Sequence, residues 1–600
     1  MASKFRNLIA SKIRRQIMGS GSLNQGSNPP PSLQDLEVKM RLVVSPNPEL
    51  PFRISLQFPW ETKNHTTNKK ITASQTITSD IIENFDTDDY VPSVIQIGHN
   101  AIAFDLSKNL FIRELLKMGI TRDFGQYKWL RNGLFGTGKN PSNIIVEFSS
   151  PNVAKPFHMG HLRSTIIGNF VANIQEAVGH KVIRLNWLGD WGTQFGLLAH
   201  GLQNSDLEQI LNCQDPMNEL YNIYVEVNKK AEQDENVATE ARSLFAQLEA
   251  GNAQLKTQWS QIRTTTVDSL EKVYSRLGIH FDHYHGEAMY GDQKTKDSVL
   301  NRLTKSGLIT IIEDGRQVID LDSGHKRRVV ITKSDGSSLY ITRDISAGLD
   351  RLKSFDPDKI IYVVENAQTH HFENLFEIIS KLDPASSCEF QHVKFGRIQG
   401  MSTRKGTAVF LSDILNEAKE RMLEKMQNTS TTKVTENPSE VAEILGISAV
   451  FINDMKEKKT KNYEFSWDSA LQNSGNSGIK LQYSHSRLCN LLVVNSHIEI
   501  PEDLSLTNFD LLSEPEAIKL ALTLAQFDEN LASSYRHLEP SILVKYLFLL
   551  CNDISKAIKV LKVKGADEET AVLRLLLFTV SKKVLHHGMC ILGLKPLEKM

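Results

Sequence analysis

Between residues 143 and 415, short apolar runs bounded by Gly, Pro and Asp alternate with stretches of helical period. This alternation constrains the fold most, because it is the pattern of buried parallel strands joined by crossover helices. NIIVEF (143–148) reads as a strand. Leu162, Ile166, Phe170, Ile174 and Val178 then recur every four residues, so a helix follows, and KVIRLN (181–186) reads as the next strand. Polar amphipathic helices interrupt over 203–280. The sheet pattern resumes with RRVVITK (327–333) and KIIYVV (359–364), so the expectation is a nucleotide-binding parallel sheet split by a helical insertion.

The flanks have other textures. Residues 33–139 mix alternating stretches such as Phe52 to Phe58 with one helical run, Ser107 to Met118, and a Thr-rich loop over 66–79, which makes a small α+β module. From Leu411 onward nearly everything has helical period, so the chain should end as a helical bundle. A length of 600 residues supports three or four domains.

Several function classes drop out. No run of 18 apolar residues exists, so the chain is not expected to enter a membrane. The five cysteines, Cys213, Cys388, Cys489, Cys551 and Cys590, form no CxxC pair, which argues against a disulfide framework or a structural zinc site and fits a reducing compartment. A net charge of -1 argues against bulk electrostatic binding to nucleic acid, yet residues 541–600 hold ten Lys/Arg against five Asp/Glu, so that end could meet a polyanion. Residues 1–34 carry Lys4, Arg6, Lys12, Arg14 and Arg15 with no acidic residue, and Phe5, Leu8, Ile9, Ile13 and Ile17 share roughly one helical face. That combination resembles a mitochondrial transit peptide, with a disordered basic tail as the bland alternative. GSGSLNQGSNPPPS (19–32) has linker composition, so a domain should begin near Leu33.

GLFGTGKN (133–140) imitates a phosphate-binding loop but lacks its parts. Asn140 replaces the Mg²⁺-binding hydroxyl, no apolar strand leads in, and Pro141 precedes a strand where a helix should begin. A flexible interdomain loop is the better reading.

FSSPNVAKPFHMGHLRS (148–164) is more informative, since it sets His158 and His161 three apart just after the first sheet strand. Random composition would give HxGH roughly 0.03 times in such a chain. As metal ligands the pair lacks further ligands at the usual spacings. Its place at the opening turn of a helix, where backbone N–H groups favour anions, fits phosphate binding instead, and Gly160 leaves room for close approach.

With EFSSPNVAKPFHMGHLRSTIIGN, LNWLGDWGTQFG, SDGSSLYITRD, QGMSTRKG, NYEFSW and LQYSHSRL in order over about residues 140–600, the chain resembles the arginyl-tRNA synthetases, a class I aminoacyl-tRNA synthetase family. The basic leader resembles that of a mitochondrial form. The resemblance implies a multidomain α/β protein: a basic leader and linker (1–32), an α+β additional domain that meets the tRNA elbow (33–139), a Rossmann-like catalytic domain (140–415) with its helical insertion (203–280), a helical connection (416–478) and an all-helical anticodon-binding domain (479–600). It implies ATP-dependent attachment of L-arginine to tRNA(Arg) through an arginyl-adenylate, with Mg²⁺ accompanying ATP and a first step that needs bound tRNA. A monomer in the mitochondrial matrix is expected, with the cytoplasm as alternative or additional site. Two readings compete: a small-molecule adenylyl-transferring enzyme and a non-catalytic RNA-binding relative.

By the same resemblance, Tyr340, Asp344 and Glu287 contact the arginine side chain, while Glu147, Ser150, Asn152, His161 and Gln368 lie near its backbone end. Such groups suit a guanidinium, since a carboxylate takes a two-pronged hydrogen bond and an aromatic face stacks on the plane. Left alone, Tyr340 and Asp344 would read as a packed aromatic and a helix cap. A polar pocket of this kind can reject analogues by about 10⁴ without editing. ATP falls to His158, Gly160, His161, Met401, Ser402 and Arg404. The MSTRKG loop departs from the family's usual KMSKS, so Arg404 and Lys405 are offset and Lys155 is expected to supply the missing charge; a solvated basic loop is the bland reading of Lys405. Tyr483, His485 and Arg487 are the expected tRNA contacts. Asn476 stands where the family often has an acidic residue.

Overall fold

The computed structural model describes residues 3–19, 40–57, 79, 81–97, 101–121, 140–153, 159–203, 205–321, 327–334, 339–400, 402–403, 406–407, 410–428, 437–472, 475–501, 503–504 and 507–600. Nearly all of the Thr-rich stretch and of GLFGTGKN and most of the 19–32 linker lie outside them.

The amino-terminal module begins earlier than Leu33. Helix α1 (Ser3–Gly19) packs on a four-stranded antiparallel sheet of β1 (Met40–Val44), β2 (Phe52–Gln57), β3 (Ser93–Ile97) and β4 (Ala101–Leu106), and helix α2 (Lys108–Thr121) joins it. Phe5, Ile9, Ala10 and Ile13 are fully buried, and the Phe5 ring lies 5.2 Å from that of Phe111, which stacks on Phe52 at 4.2 Å. The expectation that folded structure begins only near Leu33 is therefore corrected, since the apolar face of α1 helps fill this core. Amphipathic periodicity is the same whether a helix serves targeting or packing, which is why the sequence leaves the choice open. Ion pairs take up three of its cations: Lys4 with Glu114, Arg6 with Glu529 and Lys12 with Asp88. Arg14 and Arg15 face solvent.

The catalytic unit is built on β5 (Asn143–Glu147), α3 (Met159–Ala177) and β6 (Lys181–Leu188). The helices α4 (Thr193–Leu202), α5 (Pro216–Gln233), α6 (Glu235–Glu249) and α7 (Ala253–Leu277), with the short helix Leu207–Leu211 between the first two, interrupt here and close over Leu198, Leu220, Leu248 and Ile262. The sheet continues with β7 (His283–Gly286), then α8 (Tyr340–Phe355), β8 (Lys359–Glu365), α9 (Thr369–Leu382) and β9 (Glu389–Phe395). Its five strands are all parallel and lie in the order β9-β8-β5-β6-β7. Alternation along β5 sends Ile144 and Val146 to the core under α3 and Ile145 to the core under α8 and α9, so both faces are covered. The strand order reverses between β5 and β8, which leaves a crevice at their carboxyl ends.

RRVVITK is not part of this sheet. Arg327–Thr332 pairs antiparallel with Gln317–Leu321, which pairs with Ile309–Ile311 in a separate three-stranded sheet. A β-branched run looks alike in either setting; the short connection from Leu321 to Arg327 leaves no room for a crossover, so the pair is antiparallel.

Beyond the sheet come α10 (Leu411–Gln427) and α11 (Pro438–Met455), then α12 (Gly478–Val494), α13 (Pro515–Ala525), α14 (Phe527–His537), α15 (Pro540–Val560) and α16 (Glu568–Ile591). Asn437, Ser477 and Asp567 cap three of these helices by accepting N–H bonds, and Pro438, Pro515 and Pro540 open three of them, so the boundaries are written locally. Arg163 ties α3 to this region. Fully buried, it donates to the carbonyls of Gly396 and Lys461 at 2.6 and 2.8 Å, lies 3.1 Å from Asp454 and sits over the Tyr463 ring.

Candidate active site

Strand β5 ends in Glu147, and the next residues turn sharply. Ser149 and Ser150 have φ of 74° and 51°, left-handed conformations that non-glycine residues rarely hold without support. The support is a set of buried bonds: Ser149 N–H donates to Ser164 Oγ at 3.0 Å, Ser149 Oγ is 2.6 Å from the Tyr274 hydroxyl, and Ser150 N–H donates to Asn186 Oδ1 at 3.1 Å. The turn leads Asn152 back alongside Gly189, where any side chain would strike the Asn152 amide. Serine is thus not incidental in FSSPN, nor glycine in LGDWG.

At these strand ends three acids converge. Glu147 pairs with Arg351 at 2.5 Å, both side chains almost fully buried, and Arg351 also lies over Trp187 and donates to the Tyr362 hydroxyl. Glu287, in the 3₁₀ turn after β7, accepts from Arg343 at 2.8 Å. Asp344, one turn after Tyr340 in α8, contacts His371 Nε2 at 2.8 Å; the helix starts after Leu339, so Asp344 is no cap. Burial pushes the Glu147 carboxyl above its ordinary value, the guanidinium of Arg351 pulls it back, and nearby Asp344 adds to the push. Burial raises Glu287 to about 7, against the pull of Arg343 and with further push from Asp344 and Asp190. Three carboxylates against two guanidinium groups make an acidic crevice, suited to a cationic ligand.

Gln368 ends a short 3₁₀ turn after β8, on the other side of the crevice, and is exposed. Tyr340 is 66% exposed, so its ring is open to a ligand. His161 is buried in the first turn of α3, beside Gly160, and its carbonyl accepts from Thr165. His158, Lys155, Met401, Arg404 and Lys405 lie outside the described residues. Ser402 and Thr403 pair antiparallel with Gly406 and Thr407, a small ribbon at the MSTRKG loop. Among the described residues no cluster of three His, Cys, Asp or Glu side chains could hold a metal ion, and no helix is long and apolar enough to cross a membrane.

The structure adds residues that sequence reasoning missed. Arg351 is an arginine on the apolar face of α8, seven residues beyond Asp344; a charge on a buried helical face was the available signal. Asp190, fully buried, bonds Arg263 of α7 and the N–H of Ala288. It also corrects one expectation. His485 is 0% exposed and its Nδ1 lies 2.8 Å from the Leu597 carbonyl, while Gln482 holds Leu597 N–H and the Lys595 carbonyl, so this face of LQYSHSRL clamps the carboxyl-terminal tail and cannot touch RNA. The opposite face carries Tyr483, 52% exposed, with Arg487 over its ring at 5.7 Å.

A parallel sheet in this order, entered by an HMGH helix at its switch point and followed by a helical domain, defines a class I aminoacyl-tRNA synthetase. Residues 130–467 match the family described as tRNA synthetases class I (R), catalytic domain, and residues 481–600 match the DALR anticodon binding domain. The chain is 38% identical over its whole length to a probable mitochondrial arginine–tRNA ligase of Mus musculus, all of which is covered. It is 41% identical to the cytoplasmic arginine–tRNA ligase of Saccharomyces cerevisiae, over 80% of this chain and 78% of that one. A crystal structure of arginyl-tRNA synthetase from Plasmodium falciparum matches with a TM-score of 0.78 at 25% identity, covering 99% of both chains.

The chain belongs to the arginyl-tRNA synthetase family. It is an arginine–tRNA ligase that uses ATP to charge tRNA with arginine, and the two competing readings fall away. Relatives named mitochondrial and cytoplasmic match almost equally well, so either location is open to it.

Proposed function

We propose that L-arginine lies in the crevice between β5 and β8, with its α-amino end at Glu147, Ser150, Asn152 and Gln368 and its guanidinium at Tyr340, Asp344 and Glu287. The acidic excess at the strand ends carries this reading, since the substrate has two positive groups and one negative. The buried Ser150 hydroxyl has no partner among the described residues, which leaves a donor for the ligand. ATP then binds along the start of α3, with phosphates against His158, Gly160 and His161 and the loop of Met401, Ser402 and Arg404. Mg²⁺ arrives with the phosphates as part of that substrate and shields the pyrophosphate leaving group.

In the first step an oxygen of the arginine carboxylate attacks the α-phosphorus and pyrophosphate departs. His158, His161 and the cations Lys155, Arg404 and Lys405 meet the charge that builds there. In the second, a hydroxyl of the 3′-terminal ribose attacks the activated carbonyl carbon and AMP leaves. Tyr483 and Arg487 offer a stacking face for an unpaired anticodon base. The chain holds every proposed subsite itself, which supports a monomer; Arg14 and Arg15, exposed on α1, support import into the mitochondrial matrix.

Steady-state aminoacylation tests the assignment of subsites. Asp344→Asn and Tyr340→Ala should raise the KM for arginine at least about tenfold and leave that for ATP nearly unchanged. Lys155→Ala should instead lower kcat. If both pocket variants bound arginine normally, the guanidinium would have to sit elsewhere.

A further inference from the structure

Arg343 is the residue of YITRD that pairs with Glu287, and it is not itself a candidate substrate contact. Its Nη1 donates to Glu287 Oε2 at 2.8 Å, and its Cζ lies 5.3 Å from the centroid of the Tyr340 ring. The side chain is only 12% exposed and its partner 21%, so this is no solvated surface pair. Glu287 is pinned at its backbone too. The N–H of Ala288 donates to Asp190 Oδ1 at 2.8 Å, Asp190 is held by Arg263, and a side chain at Gly286 would collide with the Asp190 carboxylate at 2.2 Å.

We propose that Arg343 is a positioning residue for arginine recognition, bracing the Glu287 carboxylate and the Tyr340 ring as two adjoining walls of the guanidinium subsite. The inference rests on the subsite reading above. Geometry supplies the first half of the argument: a carboxylate fixed at its backbone by Asp190 and at its oxygen by Arg343 keeps one orientation, which a two-pronged bond to a guanidinium requires. Electrostatics supplies the second. Glu287 must be anionic to receive a cation, and burial works against that. Of the charged groups that face it, Asp344 on α8 and Asp190 at the end of β6 also disfavour the anion; Arg343 favours it, and Arg263 is engaged on Asp190. Without Arg343, Glu287 would hold its proton to a higher pH and admit arginine only there.

The test is the KM for L-arginine in aminoacylation from about pH 6 to about pH 9, with wild type, Arg343→Gln, Arg343→Lys and Glu287→Gln checked for folding by circular dichroism. In the wild type KM should fall as pH rises through about 7 and then level off. Arg343→Gln should move that limb up by about one pH unit, so that KM rises about tenfold near neutrality and recovers at alkaline pH. Arg343→Lys should move it less. Glu287→Gln should raise KM and abolish the limb. A limb in Arg343→Gln that coincides with the wild type, beside a flat and elevated profile in Glu287→Gln, would overturn the positioning role while sparing the subsite. An unchanged KM in Glu287→Gln would remove Glu287 from the subsite and the inference with it.

Discussion

Arg351 of α8 reaches across to the last residue of β5, its Nη1 2.5 Å from Oε2 of Glu147, and neither side chain is more than 6% exposed. The pair joins the helix that presents Tyr340 and Asp344 to the strand whose end would meet the substrate's amino group. Its loss should therefore be felt in both stability and binding. Arg351→Met leaves a buried carboxylate without its countercharge, which costs about 3–5 kcal/mol. Urea unfolding should register that loss, while Glu147→Gln combined with Arg351→Met should recover most of the stability and still bind arginine poorly. A double variant no more stable than the single one would contradict the pairing argument.

His485 gives the carboxyl-terminal domain a pH dependence. The Leu597 carbonyl can only accept, so Nδ1 carries the proton and Nε2 accepts from His586 Nδ1 at 3.2 Å. Burial lowers the histidine's pKa below 6.5, and neighbouring His586 and Lys582 act in the same direction. The folded state thus binds fewer protons than the unfolded one, and stability is present above the unfolded value and lost as pH falls below it. Thermal unfolding should show a decline below about pH 6.5 that His485→Gln makes shallower. tRNA affinity at neutral pH should follow domain stability rather than show a lost base contact.

Tyr483 and Arg487 should behave in the opposite way. Tyr483 is exposed and Arg487 only half-buried, so truncating the tyrosine should have little effect on stability, yet a stacked base is worth about 1–3 kcal/mol. Tyr483→Ala should raise the KM for tRNA about fivefold or more and leave arginine and ATP untouched. Equal tRNA binding by variant and wild type in a filter assay would exclude the stacking role.

Helix α1 allows packing and targeting to be separated. Ile13→Ala empties a fully buried site and should destabilise the amino-terminal module by about 2–5 kcal/mol, as read by limited proteolysis and thermal melting. Arg14→Glu with Arg15→Glu changes only exposed charge and should leave that stability alone while abolishing mitochondrial import of the full chain. Import that survives the charge reversal would remove Arg14 and Arg15 as the targeting signal, and a wild-type chain that is not imported would favour a cytoplasmic enzyme. Deletion of the whole helix cannot make this distinction, because it removes core residues together with the charges.

Strand and helix identities were legible because their signals are local. The apolar run of β5, the four-residue spacing of α3 and the Asn, Ser, Asp and Pro caps of the later helices each need only a few neighbouring residues. The same applies to the helix that opens at HMGH and to Tyr340 and Asp344, which one turn of α8 places side by side. Pairing direction was not legible for RRVVITK, whose partner is chosen by the length of chain between strands.

By itself, then, the sequence determined the α/β architecture, the order of its motifs and the residue types that meet at the strand ends, since periodicity, capping and turn chemistry are written within short stretches of chain. Only the tertiary structure decided that α1 completes a core, that His485 clamps the tail, and that Glu147 and Glu287 are held by Arg351 and Arg343. Those decisions join residues far apart in sequence, 204 in the case of Arg351 and Glu147 at the crevice and 523 in the case of Arg6 and Glu529 beside α1. Burial and ion pairing depend on what the rest of the chain brings to the same place, and that is a property of packing rather than of any segment read alone.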